Sequence, residues 1–457
     1  MSVKRLLIAN RGEIAVRIVR AAKAKGIQTV LAVSAADKDS MAAREADKTV
    51  VIGPAAARDS YLKLQILVHT AVATGCDAVH PGYGFLSERA AFAELCEKEG
   101  LVFVGPDAKT IRLVGDKLAA RALAKSAGVP MVSGSEKVET VEDAIRIAEV
   151  IGYPVITKAS AGGGGRGMVV AKSPDDLRAS FDAASHEAKE AFGDGTLYLE
   201  RYVERARHVE VQVVGDGTGN ILHFAERDCS LQRRYQKMVE EAPAEILSPE
   251  LRERVAQAAI DLLAPIKYRN AGTVEFLYDE QTQQFFFMEV NARIQVEHPV
   301  SEEICGIDLI QRQLDVAGGD ADGLIQSEIV PQGHSVEVRI IAENPLDNFR
   351  PSPGRIKRWS PPAGKGIRID TAMESGVMVP PFYDSMIAKL IVHGNDRSEA
   401  VMRLRDALDD FVIDGIATNL ELLRYIVRHP DFIENRIDTR WAERVILPKF
   451  LADKGTQ

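Results

Sequence analysis

The sequence lacks the features that mark several large protein classes. Its four cysteines, Cys76, Cys96, Cys229 and Cys305, form no Cys-x-x-Cys pair, which argues against a disulfide framework or a zinc site and favours a reducing compartment. No run of about 18 apolar residues occurs, so no membrane-spanning helix is expected. The apolar stretch at residues 6–9 is too short for the core of a signal peptide. We therefore expect a cytoplasmic protein that does not act at a membrane.

A surplus of basic residues is also missing. The chain has 57 Lys and Arg against 66 Asp and Glu, which gives a net charge of −9. Because nucleic-acid-binding surfaces are usually basic, we do not expect a nucleic-acid partner. A local basic pocket for a small phosphate-bearing molecule remains compatible with this balance. Glycine accounts for 35 of 457 residues, which is ordinary usage and excludes collagen-like sequence.

Strand and helix patterns alternate over the first quarter of the chain. Short apolar strands are predicted at residues 5–9, 28–33, 49–52, 78–79 and 102–104, with helical stretches between them. This alternation predicts a doubly wound parallel sheet up to about residue 115.

The remainder of the chain shows a mixed α+β pattern. Strands are expected at residues 154–158, 168–171, 197–202, 209–214, 221–226, 272–278 and 284–290, of which the last two form a hairpin. Helices are expected at residues 116–128, 249–266, 399–411 and 419–428, and a Pro/Gly-rich loop is expected at residues 350–366.

A glycine-rich segment between two predicted strands is the first candidate site. Residues 161–167 read Ala-Gly-Gly-Gly-Gly-Arg-Gly, and Lys158 lies on the preceding strand. Glycines allow backbone N–H groups to approach an anion closely, and the lysine adds a cation. The segment matches neither the P-loop nor the GxGxxG pattern. It favours a phosphate-covering flap over a plain surface turn.

Three oxygen-bearing side chains on the predicted hairpin form the second candidate. Glu289 and Asn291 are two residues apart and share a face of one strand, and Glu275 lies on the other strand. Two carboxylates and an amide oxygen suit Mg²⁺ or Mn²⁺ bound to nucleotide phosphates. The alternative is a pair of structural ion pairs with nearby arginines.

Alternating polar residues follow directly. Arg293, Gln295 and Glu297 project to one side if the segment is extended, and they could bind a small polar anion beside a possible base. The alternative for Glu297 is a salt bridge. The charged run 226–237 by itself favours a solvated loop, and Cys229, His208 and His298 by themselves favour structural roles.

In combination, these segments resemble the biotin carboxylase component of biotin-dependent carboxylases, a family with the ATP-grasp fold. The resemblance extends over roughly residues 3–447. It rests on the strings IANRGEIAVRI (8–18), HPGYGFLSE (80–88), GDK (115–117), KASAGGGGRGM (158–168), RHVEVQV (207–213), ERDCSLQRRYQK (226–237), NARIQVEHPVSE (291–302) and PPFYDSMIAKL (380–390).

The resemblance implies a domain arrangement. It consists of an N-terminal Rossmann-like domain at 1–115, a mobile ATP-grasp lid with the flap at 116–203, a central metal-binding domain at 204–330, a mixed C-terminal domain at 331–447 and a tail at 448–457.

The resemblance also implies roles for individual positions. ATP phosphates are assigned to Lys117, Lys158 and the flap glycines Gly163, Gly164, Gly165 and Gly167, and the rest of the nucleotide to Glu200, Val203, His208 and Gln232. Glu275, Glu289 and Asn291 are assigned to one or two Mg²⁺ or Mn²⁺ ions. The bicarbonate pocket is assigned to Lys237, Arg293, Gln295, Val296 and Glu297, with Glu297 as general base, and Arg339 is assigned to biotin.

The implied activity is ATP-dependent carboxylation of biotin by bicarbonate through carboxyphosphate. The chain carries no biotin-attachment motif of the AMKM type, so we expect a biotin carboxyl carrier protein and a carboxyltransferase on separate chains. A homodimer is expected from the resemblance.

Some positions depart from the family pattern. Tyr235 lies where many members have histidine, Arg201 where lysine is common, Thr157 where an apolar strand residue is usual, and Ala161 replaces the first glycine of a longer run. Because a phenol supplies no cation at neutral pH, Tyr235 leaves open an ATP-grasp enzyme that carboxylates or ligates another nitrogen nucleophile. A catalytically silent nucleotide-binding protein with a regulatory role is the other alternative.

Overall fold

The fold is described from a computed structural model that covers residues 2–160, 168–321 and 323–454. The flap glycines Gly163, Gly164, Gly165 and Gly167 lie outside these described residues. No helix among the described residues is long and apolar enough to cross a membrane.

The first region contains the predicted parallel sheet. Its elements are β1 (Arg5–Ile8), α1 (Gly12–Ala24), β2 (Gln28–Ser34), α2 (Met41–Glu45), β3 (Lys48–Gly53), α3 (Leu64–Ala73), β4 (Ala78–His80), α4 (Ala90–Lys98), β5 (Val102–Phe103) and α5 (Ala108–Gly115). The strand order is β3-β2-β1-β4-β5, and every pairing is parallel. Apolar side chains are buried on both faces of β1, as expected for a strand covered by helices on both sides. The loop after β4 carries Glu88 toward the central cavity.

The second region is a small antiparallel sheet with helices. Its elements are α6 (Lys117–Ser126), α7 (Val141–Ile151), β6 (Val155–Ala159), β7 (Val169–Ala171), α8 (Pro174–Phe192) and β8 (Leu197–Arg201). The strand order is β7-β6-β8. The carboxylate of Asp116 accepts a hydrogen bond from the backbone N–H of Ala119 at 2.8 Å and caps α6. The helix therefore begins at Lys117, one of the predicted phosphate ligands.

The third region begins the largest sheet. Its elements are β9 (Ala206–Asp216), β10 (Ile221–Arg233), β11 (Gln236–Ala242), α9 (Pro249–Leu263), β12 (Arg269–Asp279), β13 (Gln284–Asn291), α10 (His298–Cys305) and α11 (Leu309–Gly318). The predicted hairpin is present as β12–β13. The expectation of a solvated loop over residues 226–237 is wrong, because β10 and β11 form a hairpin there. Its charged side chains are stabilised by buried partners; Arg227, for example, is fully buried.

The fourth region completes this sheet. Its elements are β14 (His334–Ile341), β15 (Glu343–Asn344), β16 (Arg350–Pro351), β17 (Gly354–Arg355), β18 (Arg358–Ser360), β19 (Ile367–Thr371), β20 (Met378–Val379), β21 (Met386–Gly394), α12 (Arg397–Asp410), β22 (Val412–Asp414), α13 (Leu420–Ile426), α14 (Pro430–Ile433) and α15 (Leu447–Lys454). The expected loop at residues 350–366 contains the short strands β16, β17 and β18. They pair with β15, β20 and β22.

The eight-stranded antiparallel sheet has the order β13-β12-β9-β10-β11-β14-β21-β19. It crosses the predicted boundary at residues 330 and 331, because β11 pairs with β14. The four-part division at 115, 203 and 330 therefore stays a prediction about domains, whereas the parallel sheet followed by mixed α+β regions is confirmed. This sheet forms the base on which the candidate site is built.

Candidate active site

The candidate site is a cavity of about 530 Å³ that lies against the eight-stranded sheet. Its lining includes thirteen predicted residues: Lys117, Lys158, His208, Gln232, Lys237, Glu275, Glu289, Asn291, Arg293, Gln295, Val296, Glu297 and Arg339. These residues come from α6, β6, six strands of the large sheet and the segment before α10. The cavity therefore unites the predicted phosphate, metal and bicarbonate groups.

Lys237 is the central cation of this cavity. Its Nζ atom donates hydrogen bonds to Glu210 Oε2 at 2.6 Å, Glu297 Oε1 at 2.6 Å and Glu275 Oε1 at 3.2 Å. Burial opposes the ammonium, but the three carboxylates outweigh it and raise the pKa of Lys237 well above its usual range. The lysine is therefore charged, and its charge is shared among three acids.

Glu297 lies between two cations. Its Oε1 accepts from Lys237, and its Oε2 accepts from Arg339 Nη2 at 3.1 Å. Burial alone would raise the pKa of Glu297, but Lys237 and Arg339 outweigh it and lower the pKa to about 2. The predicted base is therefore ionised. Glu297 forms salt bridges with Lys237 and Arg339, as the alternative interpretation expected, and it also lines the cavity.

The segment from Arg293 to Glu297 is not an extended strand. It consists of bends and turns between β13 and α10. Lys389 on β21 is fully buried and donates to the carbonyl oxygen of Val296 at 2.9 Å, which fixes the segment against the large sheet. The side chains of Arg293, Gln295 and Glu297 still line one cavity, as expected, although the backbone is not extended as expected.

Arg293 is held by neighbours on both sides. Its Nε donates to Glu88 Oε2 at 2.9 Å, and its Nη2 donates to Asn291 Oδ1 at 3.1 Å. Glu88 was not among the predicted site residues. Glu88 is the one acidic residue of the motif at 80–88, so its place in a loop that follows a parallel strand was the available signal.

Arg227 does not line the cavity, but it hydrogen-bonds residues around it. Its guanidinium donates to Glu210 Oε1 at 2.6 Å and to Gln295 Oε1 at 2.6 Å. Further donors reach Gln212 at 2.8 Å, Ser301 at 3.0 Å and Thr273 at 3.2 Å. Sequence reasoning missed Arg227 and Glu210 as site residues, although Glu210 follows His208 by two positions on one strand face. Together they orient Gln295 and anchor Lys237.

His208 is part of the site and not merely structural. Its Nε2 lies 3.1 Å from Glu275 Oε2, and its Nδ1 lies 2.9 Å from Gln232 Nε2. Burial lowers the pKa of His208, but Glu275 outweighs this and raises the pKa to about 9. His298, by contrast, is fully buried and pairs with the Gln295 carbonyl oxygen at 2.7 Å, as the structural interpretation expected.

A second cavity of about 420 Å³ adjoins the first. It is lined by Glu200 and Val203 and by apolar side chains that include Leu277 and Met288. Lys158 lines both cavities, and its Nζ donates to Glu200 Oε2 at 2.5 Å; Arg121 also pairs with Glu200. An apolar cavity whose polar edge leads to cations suits a flat base that carries phosphates.

The predicted metal ligands fit a divalent cation in their chemistry and register. Glu275 and Glu289 lie directly opposite each other on β12 and β13, and such like-charged pairs require cations. Lys117 Nζ lies 3.6 Å from Glu289 Oε2. Asn291 Nδ2 donates to Glu275 Oε1 at 2.9 Å. The cations that pair with these acids are lysines and a histidine, not the arginines of the alternative interpretation.

Comparison with known proteins covers nearly the whole chain. Residues 2–111 match the family described as "Biotin carboxylase, N-terminal domain", residues 116–322 match "Carbamoyl-phosphate synthase L chain, ATP binding domain", and residues 337–444 match "Biotin carboxylase C-terminal domain". The chain is 49% identical to biotin carboxylase 1 of Bacillus subtilis over 96% of this chain and 98% of that protein. It is 47% identical to the biotin carboxylase of Pseudomonas aeruginosa over 97% and 98% of the two chains.

Solved structures agree with the fold. The biotin carboxylase domain dimer of Hydrogenobacter thermophilus 2-oxoglutarate carboxylase, in complex with MgADP, ADP and bicarbonate, has a TM-score of 0.93 and 45% identity, covering 97% of this chain and 98% of that one. A biotin carboxylase–β,γ-ATP complex from Campylobacter jejuni has a TM-score of 0.94 and 44% identity, covering 97% and 99%. With this fold, this cavity and these relatives, the chain belongs to the biotin carboxylase family of ATP-grasp enzymes.

Proposed function

We propose that this cavity carries out the ATP-dependent carboxylation of biotin by bicarbonate, the first half-reaction of a biotin-dependent carboxylase. The observation that carries the proposal is the single cavity in which Lys117 and Lys158 approach the Lys237–Glu297–Arg339 chain of contacts. Phosphate-binding cations and a bicarbonate-binding edge must be adjacent for one phosphoryl group to pass between ATP and bicarbonate.

ATP is assigned to the two adjoining cavities. Its base occupies the apolar cavity near Glu200 and Val203, and its phosphates extend past Lys158 to Lys117. His208 and Gln232 line both cavities and contact the middle of the nucleotide. The flap glycines Gly163, Gly164, Gly165 and Gly167 are assigned to the phosphates by the sequence alone.

Glu275, Glu289 and Asn291 would hold Mg²⁺, which supplies charge neutralisation on the phosphate oxygens when it is bound. The protein's own contribution is to present these oxygens on two paired strands. Lys117 also faces the phosphates, because its ammonium lies near Glu289 at the same edge of the cavity.

Bicarbonate binds beside Lys237, Arg293, Gln295 and the Val296 backbone. Glu297 accepts its proton, and a bicarbonate oxygen attacks the γ-phosphorus of ATP. The bond from that phosphorus to the β-phosphate oxygen breaks, which gives ADP and carboxyphosphate. A carboxylate with a pKa of about 2 is a weak base, so we infer that bicarbonate draws Lys237 away from Glu297 and strengthens the base.

Carboxyphosphate then releases CO₂, and the phosphate left behind accepts the N1′ proton of biotin. The deprotonated nitrogen attacks CO₂, which gives carboxybiotin. Arg339 stabilises the negative charge on the ureido oxygen of biotin. Closure of the cavity would keep water from hydrolysing carboxyphosphate.

The biotin is proposed to arrive on a carrier protein, and the carboxyl group is proposed to leave to a carboxyltransferase. A homodimer is proposed because the Hydrogenobacter relative is a domain dimer. Neither alternative, another nitrogen nucleophile or a catalytically silent protein, is favoured, because each base and metal-ligand position that the family motif requires is present.

The test is ADP release with bicarbonate, with and without free biotin. The proposal predicts bicarbonate-dependent ADP release that biotin stimulates, together with carboxylation of a biotinylated carrier. If millimolar biotin does not stimulate ADP release and no biotinylated carrier is carboxylated, the proposal is rejected.

A further inference from the structure

Arg339 has a second carboxylate partner that lies outside the cavity lining. Its Nε donates to Glu240 Oε1 at 2.6 Å, on the same Nε–Nη2 edge of the guanidinium that meets Glu297 through Nη2. Glu240 is on β11, is fully buried, and does not line the cavity. This edge of the guanidinium is thus shared between one acid that lines the cavity and one that does not.

Glu240 also faces a third acid. In the pairing of β11 with β14, Glu240 lies directly opposite Glu337, which is likewise fully buried. Neither oxygen of Glu337 has a hydrogen-bond partner among the described residues. Two buried carboxylates on opposed positions repel if both are charged, so one proton resides on the pair.

The contacts decide which acid is charged. Burial raises the pKa of Glu337 well above its usual range, and burial raises the pKa of Glu240 less, to about 7, because Arg339 opposes the rise. Charge-assisted hydrogen bonds favour the ionised partner. Because Glu240 bonds Arg339 and Glu337 bonds no described group, Glu240 is the member of the pair that ionises first, and Glu337 is the neutral member.

We propose that Glu240 is a positioning residue. It holds the Nε of Arg339 and so keeps the guanidinium from turning its whole Nε–Nη2 edge onto Glu297. The proposal rests on the proposed function, in which Arg339 contacts biotin. Without the charge of Glu240, Glu297 becomes the only charged carboxylate bonded to Arg339 among the described residues, and the guanidinium turns toward it. Biotin then loses its contact with Arg339, while ATP and bicarbonate keep their own contacts.

The experiment compares Glu240→Gln with Glu337→Gln in the full-length protein. Glu240→Gln is expected to raise the KM for free biotin at least tenfold, while bicarbonate-dependent ATP cleavage without biotin stays within threefold of the wild type. Glu337→Gln, a buried carboxyl in the same strand pair without a bond to Arg339, is expected to leave both values within twofold. A KM for biotin that is unchanged in Glu240→Gln, or an equal loss of both activities, overturns the proposal.

A second variant covers the case in which Glu240→Gln does not fold. Glu240→Asp keeps the charge but retracts it by about one carbon–carbon bond, so the KM for biotin should rise a few-fold with ATP cleavage without biotin unchanged. An unaltered KM for biotin overturns the proposal here as well. A wild-type protein that never carboxylates biotin would instead reject the proposed function, so the two failures are distinct.

Discussion

The ammonium of Lys237 lies 2.6 Å from the carboxylate of Glu297, and the same ammonium is bonded to Glu210 and Glu275. One cation therefore joins the proposed base, a proposed metal ligand and the acid that Arg227 anchors. Because each of these acids is buried, the charge of Lys237 offsets the desolvation of all three. Movement of this one side chain changes the basicity of Glu297.

Replacing the base should separate binding from chemistry. Glu297→Gln keeps the shape of the side chain but cannot accept the bicarbonate proton, so turnover is expected to fall by two to four orders of magnitude, roughly the contribution of a general base. ATP affinity, measured by calorimetry, should change less than threefold. Glu374→Gln, which removes a charge from an exposed ion pair with Arg44, is the matched control and should be fully active. Near-wild-type turnover in Glu297→Gln would show that the base is another group.

The lowered pKa of Glu297 also predicts how stability depends on pH. A carboxyl whose pKa falls from about 4.5 to about 2 on folding contributes stability above pH 4.5 and loses it as the pH falls toward 2. The difference in unfolding free energy between wild type and Glu297→Gln should therefore shrink by about 1 kcal/mol between pH 5 and pH 3.5. Urea unfolding at several pH values measures it. A difference that stays constant or grows over this range contradicts the assigned environment.

Lys158 should govern ATP binding. Its ammonium lies at the junction of the two cavities and is held by Glu200 at 2.5 Å. Lys158→Met removes a phosphate-binding charge and is expected to raise the KM for ATP at least tenfold, whereas the KM for bicarbonate should change little. Lys137→Met, at an exposed lysine paired with Glu139, controls for the loss of one positive charge. Steady-state kinetics with each substrate varied in turn would refute the assignment if the two KM values rose together.

Tyr235 tests whether the departure from the family pattern weakens anion binding. It lines both cavities, the residue is 54% exposed, and its φ is +64° in the turn between β10 and β11. Histidine tolerates this backbone conformation and can supply a cation. Tyr235→His is expected to lower the KM for ATP or bicarbonate several-fold below pH 7, and Tyr235→Phe should not. Equal kinetics in both variants would show that the lost cation is immaterial.

Parts of the fold could be predicted from local patterns. The parallel sheet followed from alternating strands and helices, and the hairpin of Glu275 and Glu289 followed from two apolar strands around a polar turn. The segment 226–237 could not be predicted in this way. Its charges indicate a solvated loop, and only tertiary partners such as Glu210 and Gln295 make Arg227 a buried residue.

The site residues, too, fall into those that the sequence could predict and those that it could not. Residues within recognisable strings, such as Arg293 and Glu297, could be proposed from the sequence with the family resemblance. Glu240 could not, because its role depends on Arg339, which is 99 residues distant in sequence. In a sequence, a buried charge shows only as a charged residue within an apolar strand. The partner that stabilises it cannot be identified from the sequence.

Transfer of labelled bicarbonate carbon to biotin tests the central claim most directly. With ATP, Mg²⁺ and a biotinylated carrier, we expect acid-labile label on the carrier in a one-to-one ratio with ADP formed. No label is expected when ATP is omitted, and labelling by Glu297→Gln should be slower by about two to four orders of magnitude. Label that appears on the carrier without ATP, or ADP that forms with no label on biotin under any condition, would contradict it.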